Sequence, residues 1–271
     1  MDLVVTDRAV EFVDGGLRPG LYMYTDPFKP YLHPLRTPEG HTVSLAMPHD
    51  HPHHKGLMYA LRMPGVNFWE ERSTLPGEIV GRQVHERFEH LVESGEQVGF
   101  GEVLRWETET GETLLRERRE VAVRRGEDGK SYRWTWTAEL EPLSDVRLIK
   151  SQWSIPAATG NPINYHGLGI RLSREFGCTG NNAIVLDGDV ASFDSALGLQ
   201  PQRATFQGAI DGYPVAPRTL VTFQQTGHYG LFVLDKPFAF MSLGPSNLAE
   251  LALQPNEILR EAFVIEISDL S

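Results

Sequence analysis

Four of the ten histidines fall in one short run, Pro48-His49-Asp50-His51-Pro52-His53-His54-Lys55-Gly56. Imidazole ligates metals when neutral and titrates nearest to neutral pH, so this density points to chemistry. In an extended chain, period two places His49, His51 and His53 on one face and Asp50 and His54 on the other. Pro48 and Pro52 oppose a regular central strand and favour a stiff loop that leads into a strand over 56–61. Three uses fit the run. His51 and His53, at H-x-H spacing, are two ligands for a divalent metal. No carboxylate follows at a fixed spacing, and that favours metal-free use of His53 and His54 as acid, base or hydrogen-bond donor. The plainest use is a proline-stiffened surface turn with solvated histidines.

Other residues join this set if the chain brings them near. His33 and Arg36 lie before the turn Thr37-Pro38-Glu39-Gly40 and could share a pocket with the histidines across it. In the segment 163–172, Asn164 and His166 share a face and Tyr165 points the other way, while Gly167 and Gly169 leave room for a backbone or a ligand to approach. Tyr31, Tyr59, Phe68, Trp69 and Tyr165 suit a sugar, whose C–H face stacks on rings while its hydroxyls take polar partners. Glu70 and Glu71 are the carboxylate pair nearest to the histidine run. On an extended segment they point apart, so at most one enters a shared pocket. His53, His54 and His166 are therefore the candidate acid and base, with Arg36 and Lys55 as electrophilic helpers.

The segments Lys29-Pro30-Tyr31-Leu32-His33-Pro34-Leu35-Arg36-Thr37-Pro38, Asp50-His51-Pro52-His53-His54-Lys55-Gly56 and Val66-Asn67-Phe68-Trp69 resemble the PmoA-like family of bacterial proteins of unknown function, most strongly over 29–69. The resemblance adds Asn67 to His33, Arg36, Lys55, Trp69 and Tyr165 as candidate substrate-binding positions. The family's name suggests a membrane oxygenase subunit, but the sequence has no span of about 20 apolar residues. The family usually has Arg where this chain has Lys55, and that exchange weakens any bidentate clamp.

The elements that must position these residues read as strands. Segments 3–13 and 17–24 form an opening hairpin around Asp14-Gly15-Gly16. From 79 to 140, polar and apolar residues alternate between turn signals at 93–95, 110–111 and 126–129, which predicts an antiparallel meander. Within it, Arg116-Glu117-Arg118-Arg119-Glu120 reads as a solvated face with cross-strand ion pairs. Further strands are expected over 144–155, 183–186, 204–210, 220–224, 230–234, 239–243 and 258–267. The segment 247–253 resembles a short helix, capped by Ser246.

No charge block, repeat or low-complexity tract divides the chain, so residues 1–271 are expected to form a single domain. The fold class is all-β, a large antiparallel sandwich with very little helix. Its size and strand number resemble the galactose-mutarotase-like supersandwich, and that resemblance implies a carbohydrate as the small-molecule partner. A net charge of -11 opposes nucleic acid. Cys178 is alone, which excludes an internal disulfide, and it reads as a buried small hydrophobe. The first residues lack a signal-like apolar stretch, giving a cytoplasmic expectation with no membrane partner. Phosphate-loop, dinucleotide and nucleophile-elbow motifs are absent. The leading function is proton transfer on a sugar or keto-sugar by an epimerase, mutarotase-like isomerase or lyase. The alternatives are a metal-dependent oxygenase or hydrolase with His ligands, and a non-catalytic sugar-binding module.

Overall fold

Strong alternation of inward and outward side chains makes most of the chain antiparallel strand. The computed structural model describes residues 1–177, 180, 182–213 and 215–270, so Cys178 lies outside the described residues. One eight-stranded sheet has the order Asp2–Val5, Ala9–Asp14, Leu17–Met23, Tyr31–Leu35, Leu57–Ala60, Gly167–Arg171, Phe240–Leu243 and Leu231–Leu234. An eleven-stranded sheet faces it. The meander Ile79–Val92, Gln97–Thr108, Thr113–Arg125 and Ser131–Pro142 forms four adjacent strands of that sheet, and Leu259–Leu270 joins it to Arg218–Gln225 and Arg203–Ala209. Among the described residues the only α-helix is the single turn Phe193–Ala196. No helix among them is long and apolar enough to cross a membrane.

The inner faces of the two sheets bury a core that runs from Leu3 to Ile267. Phe12 meets Trp134 edge-on at 4.8 Å, Tyr22 lies 4.8 Å from Phe100, and Tyr59 lies 5.9 Å from Trp106. The eight-stranded sheet is also covered on its outer face. There Met58, Ala60, Phe232 and Phe240 pack with Trp69 and Ile163, while Leu57, Tyr59, Leu231 and Met241 point inward. Strands buried on both sides carry apolar residues at every position. This explains the unbroken apolar run Leu57–Ala60.

Three sequence expectations fail for tertiary reasons. Segment 3–13 is not one strand, because Thr6 breaks it by accepting hydrogen bonds from Arg8 N and Ala9 N. Segment 247–253 is not helical. Asn247 is buried, donates Nδ2 to Gly230 O and accepts at its backbone oxygen from Asn164 N, and Leu251–Leu253 pairs with Val146–Leu148. These partners outweigh a weak helix propensity. Third, Glu117 and Arg119 do not face solvent with Arg116, Arg118 and Glu120; both are wholly buried between the sheets.

Arg119 is the organising cation of that interior. Its Nε and Nη2 donate to Glu117 at 2.7 and 2.8 Å, Nη1 donates to Tyr22 at 2.9 Å, and Nη2 donates to Gln83 at 3.0 Å. Its guanidinium also lies over Trp136, 4.8 Å from the ring centre. Glu117 takes a further bond from Trp106 Nε1 at 2.7 Å, and Glu102 accepts from Tyr22 at 2.5 Å and lies 2.6 Å from His85 Nδ1. Among the described residues, Glu261 makes no ion pair. Burial pushes its carboxyl up to about 8, with the Glu117 charge adding to the shift and the Tyr59 hydrogen bond opposing it, so it is neutral at pH 7.

Candidate functional site

The histidine run is not extended. Bonds from His51 N to Pro48 O (3.0 Å) and from His54 N to His51 O (2.9 Å) close two successive turns. The second turn has Pro52 at its favoured first central position. A bridge between Ala46 and Lys55 closes the stem, and Met47 adopts φ 51° there. The period-two faces expected from sequence are therefore replaced by a knot of rings. His51 stacks on His54 at 4.8 Å, and His53 meets His54 edge-on at 4.6 Å.

The loop rejoins the sheet at Gly56, which has φ +68°. A Cβ there would sit 2.3 Å from Leu32 O. Gly56→Ala combines left-handed strain with a backbone clash and is expected to cost about 2–3 kcal/mol. A lowered urea midpoint at unchanged m-value would show this; a midpoint equal to that of the wild type would refute it.

Beside the knot, on the outer face of the eight-stranded sheet, lies a cavity of about 350 Å³. Phe232, Leu234, Phe238 and Phe240 give it an apolar floor, and Ile155 and Trp153 come from the loop that follows Val146–Leu148. Its polar groups are His51, His53, His54, Glu70, Arg72 and Tyr165.

The carboxylate of Asp50 orients the knot. It accepts from His51 Nδ1, Arg171 Nη2 and Arg174 Nη2, each at 2.9 Å. Partial burial opposes the charge, but these bonds prevail and hold the carboxyl well below the usual range. The Asp50 carboxylate therefore fixes the orientation of the His51 ring through Nδ1. Arg171 Nη1 lies 3.1 Å from His54 Nδ1. Because guanidinium only donates, His54 accepts there and holds its proton on Nε2. Burial, with cationic neighbours adding, pushes His54 well below the usual imidazole range and His53 down to about 3. Both rings are therefore neutral at pH 7.

Glu70 enters from the opposite wall. Asn67 Oδ1 accepts from the backbone N–H groups of Trp69 (2.9 Å) and Glu70 (3.0 Å), and so fixes the turn that carries both. Tyr165 Oη donates to Glu70 Oε1 at 2.7 Å and lies 2.9 Å from Ser151 Oγ. Glu70 is 4% exposed, and its Oε2 is buried without a partner. Glu71 turns away with φ 56° and is held by Lys29 at 2.7 Å and Lys55 at 3.0 Å. On an extended segment the sequence allows at most one of the two acids into the pocket; the segment is instead a turn, and its left-handed Glu71 separates the two.

Of the other sequence candidates, His53, His54 and Tyr165 line the cavity with the possible metal ligand His51. His33, Arg36 and His166 do not line it, so the expected common pocket is smaller. His33 lies 2.9 Å from Ser44 Oγ and is pushed down to about 4 by burial and then by Arg36. Arg36 Nη1 donates to Arg18 O on the exposed surface. His166 is wholly buried behind Trp69, their ring centres 5.6 Å apart, with Nδ1 near Asn164 and Ile149 O and Nε2 unpartnered. Burial and then Arg62 push it down to about 3. Trp69 and Asn67 are buried supports, and Lys55 is paired with Asp26 at 2.5 Å as well as with Glu71. Gly167 and Gly169 make room for the Leu243–Gly244 backbone and the Phe240 ring rather than for a ligand. The sequence reading missed Arg72, Arg171, Trp153 and the phenylalanine floor. Arg171 had a signal, as a lone charge within an otherwise apolar strand.

Among the described residues, one group of three potential metal-ligating side chains has donor atoms within 4.8 Å of one another: Glu39, His41 and Asp269, away from this cavity. The histidine knot does not form such a group.

Comparison with known proteins adds fold-level likenesses. The galactose 1-epimerase of Lactobacillus acidophilus NCFM is similar at 10% identity and TM-score 0.46, with 99% of this chain and 100% of that chain covered. A galactose mutarotase-like protein of Clostridium acetobutylicum is similar at 8% identity and TM-score 0.44, over 99% of this chain and 98% of that chain. No curated protein matches the sequence. Residues 9–269 match a family described as being of unknown function, DUF6807, a description that does not include the PmoA-like label, and the chain belongs to that family.

Proposed function

We propose that this protein is a carbohydrate-active enzyme that moves a proton on a sugar or keto-sugar. The observation that carries this reading is the Glu70 carboxylate, buried with one oxygen unpartnered, in a small cavity with aromatic walls. A buried polar atom without a partner calls for an explanation, and a ligand that supplies the missing hydrogen is one. Ring-rich walls suit the C–H face of a sugar. Trp153, 58% exposed at the same cavity, offers a ring face on which a sugar can stack.

The roles follow from protonation. His53 and His54, pushed down by burial, are not charged acids at pH 7; Glu70, which lines the cavity and has an unpartnered oxygen, takes the proton from substrate. His54 Nε2–H donates to the oxygen that gains charge, as a neutral electrophile. His51, oriented by Asp50, meets a substrate hydroxyl through Nε2. Tyr165 keeps the carboxylate in place through Oε1.

Nuclear magnetic resonance in deuterium oxide with a panel of aldoses and keto-sugars tests this reading. Deuterium should enter one carbon, or anomers should interconvert faster than in buffer, with at least one sugar. Binding without any exchange would overturn it in favour of a sugar-binding module. Exchange that chelation abolishes and added divalent ion restores would overturn the metal-free roles and move them to a metal on His51 and His53.

A further inference from the structure

Three adjacent residues leave one turn in different directions. Glu70 goes into the cavity, Glu71 goes to Lys29 and Lys55, and Arg72 goes to the cavity rim. Glu71 holds a left-handed φ of 56°, costly for a non-glycine residue, and the two buried lysines anchor it there. One consequence is that the acid next to Arg72 in sequence is unavailable to it. The other carboxylates of the site are also engaged, Asp50 by Arg171 and Arg174 and Glu70 by Tyr165.

Arg72 is exposed and lines the cavity, and among the described residues its guanidinium has no hydrogen-bond or ion-pair partner. The neighbouring arginines contrast with it. Arg62 is bound by Gln152, Thr74 and Glu78, and Arg171 and Arg174 by Asp50. The whole chain carries a net charge of -11, so an unpaired cation at the mouth of its apolar cavity runs against the general charge. The field inside has the same sign. After burial, the groups that push His53 down include the cations Lys29, Arg72 and Arg171.

We infer that the ligand is an acidic monosaccharide, a single sugar ring bearing a carboxylate, with the carboxylate on the Arg72 guanidinium and the ring against Trp153. This rests on the sugar reading above and narrows it. A guanidinium presents a planar fork that matches a carboxylate with two parallel bonds. A cavity of about 350 Å³ lies at the small end of ligand pockets and suits one ring rather than a chain.

Calorimetric titration with galacturonate and glucuronate, their neutral hexoses, and the corresponding hexose 6-phosphates tests the inference. It uses the full chain, Arg72→Gln, Arg72→Lys and Trp153→Ala, each checked for an unchanged circular dichroism spectrum. One acid should bind roughly tenfold or more tightly than its neutral hexose. In Arg72→Gln the ratio of acid to neutral affinity should fall towards one. Arg72→Lys, which keeps the charge and loses the fork, should keep only part of it. Trp153→Ala should weaken both ligands. Neutral hexose binding as tightly as the acid, through a Trp153-dependent site, would overturn the acidic inference and leave the sugar reading standing. A phosphate that binds more tightly than the acid would overturn the carboxylate. No binding by any sugar, or binding indifferent to Trp153→Ala, would overturn the sugar reading and the inference with it.

Discussion

Glu70→Gln is expected to lower the rate of solvent exchange into substrate by about 100-fold to 10,000-fold, the range for loss of a positioned general base. The variant is nearly isosteric. Its Oε1 can still accept from Tyr165 Oη, and Asn67 still fixes the backbone of the turn. What disappears is the unpartnered Oε2, replaced by an amide that cannot take a proton. The unfolding free energy measured in urea should therefore change by no more than about 1 kcal/mol, because the change leaves the surrounding hydrogen bonds in place. Tyr165→Phe keeps Glu70 but releases it from its anchor, and about a tenfold loss is expected, smaller than that of Glu70→Gln. Turnover within about threefold of the wild type in Glu70→Gln would remove Glu70 from the chemistry. The acid-base role would then pass to the histidine knot.

Arg119→Met is expected to cost about 3–5 kcal/mol, the range found when one partner of a buried ion pair is removed. The side chain is wholly buried between the sheets, with Glu117 as its bidentate partner and Trp136 under its plane. Three carboxyl groups, Glu102, Glu117 and Glu261, share that interior, and Glu261 already avoids its charge by staying protonated. Without Arg119, Glu117 must follow it or remain as an uncompensated anion, and Tyr22 and Gln83 lose their donor. Urea unfolding followed by circular dichroism measures the loss. Arg119→Met with Glu117→Leu should recover part of it, because an apolar pair leaves no stranded charge. A loss below about 1 kcal/mol in the single variant would show that the network is bystander polarity and not a clamp between the sheets.

Much of the architecture is legible in local patterns. The alternation from Ile79 to Pro142, with turn residues at each break, specifies the four-stranded meander, because a half-buried strand must send successive side chains to opposite faces. The prolines at 48 and 52 mark a loop where a histidine count alone would allow a strand. Other features depend on partners far away in the chain. Glu117 and Arg119 read as surface charges because period two gives a residue a side but does not say what occupies that side. Tyr22, Gln83 and Trp106, which satisfy them, come from three other strands. Segment 247–253 reads as a helix until buried Asn247 and the pairing with Val146–Leu148 claim its backbone groups.

The candidate site divides in the same way. The residue types of the histidine run, and the adjacency of Glu70 and Glu71 to Trp69, are properties of the sequence. Which acid faces the cavity depends on Lys29 and Lys55, and which ring nitrogen of His54 carries the proton depends on Arg171, a residue more than one hundred positions away. Only tertiary structure decides these, because a tautomer or a buried charge state is set by the partner that meets it. The location of the cavity is of the same kind. The sequence by itself determined a large antiparallel sandwich with a proline-stiffened histidine loop. The outer face of the eight-stranded sheet became a site only when loops from Trp153 and Glu70 covered it, since local pattern marks a strand as buried on both faces but does not name what buries it.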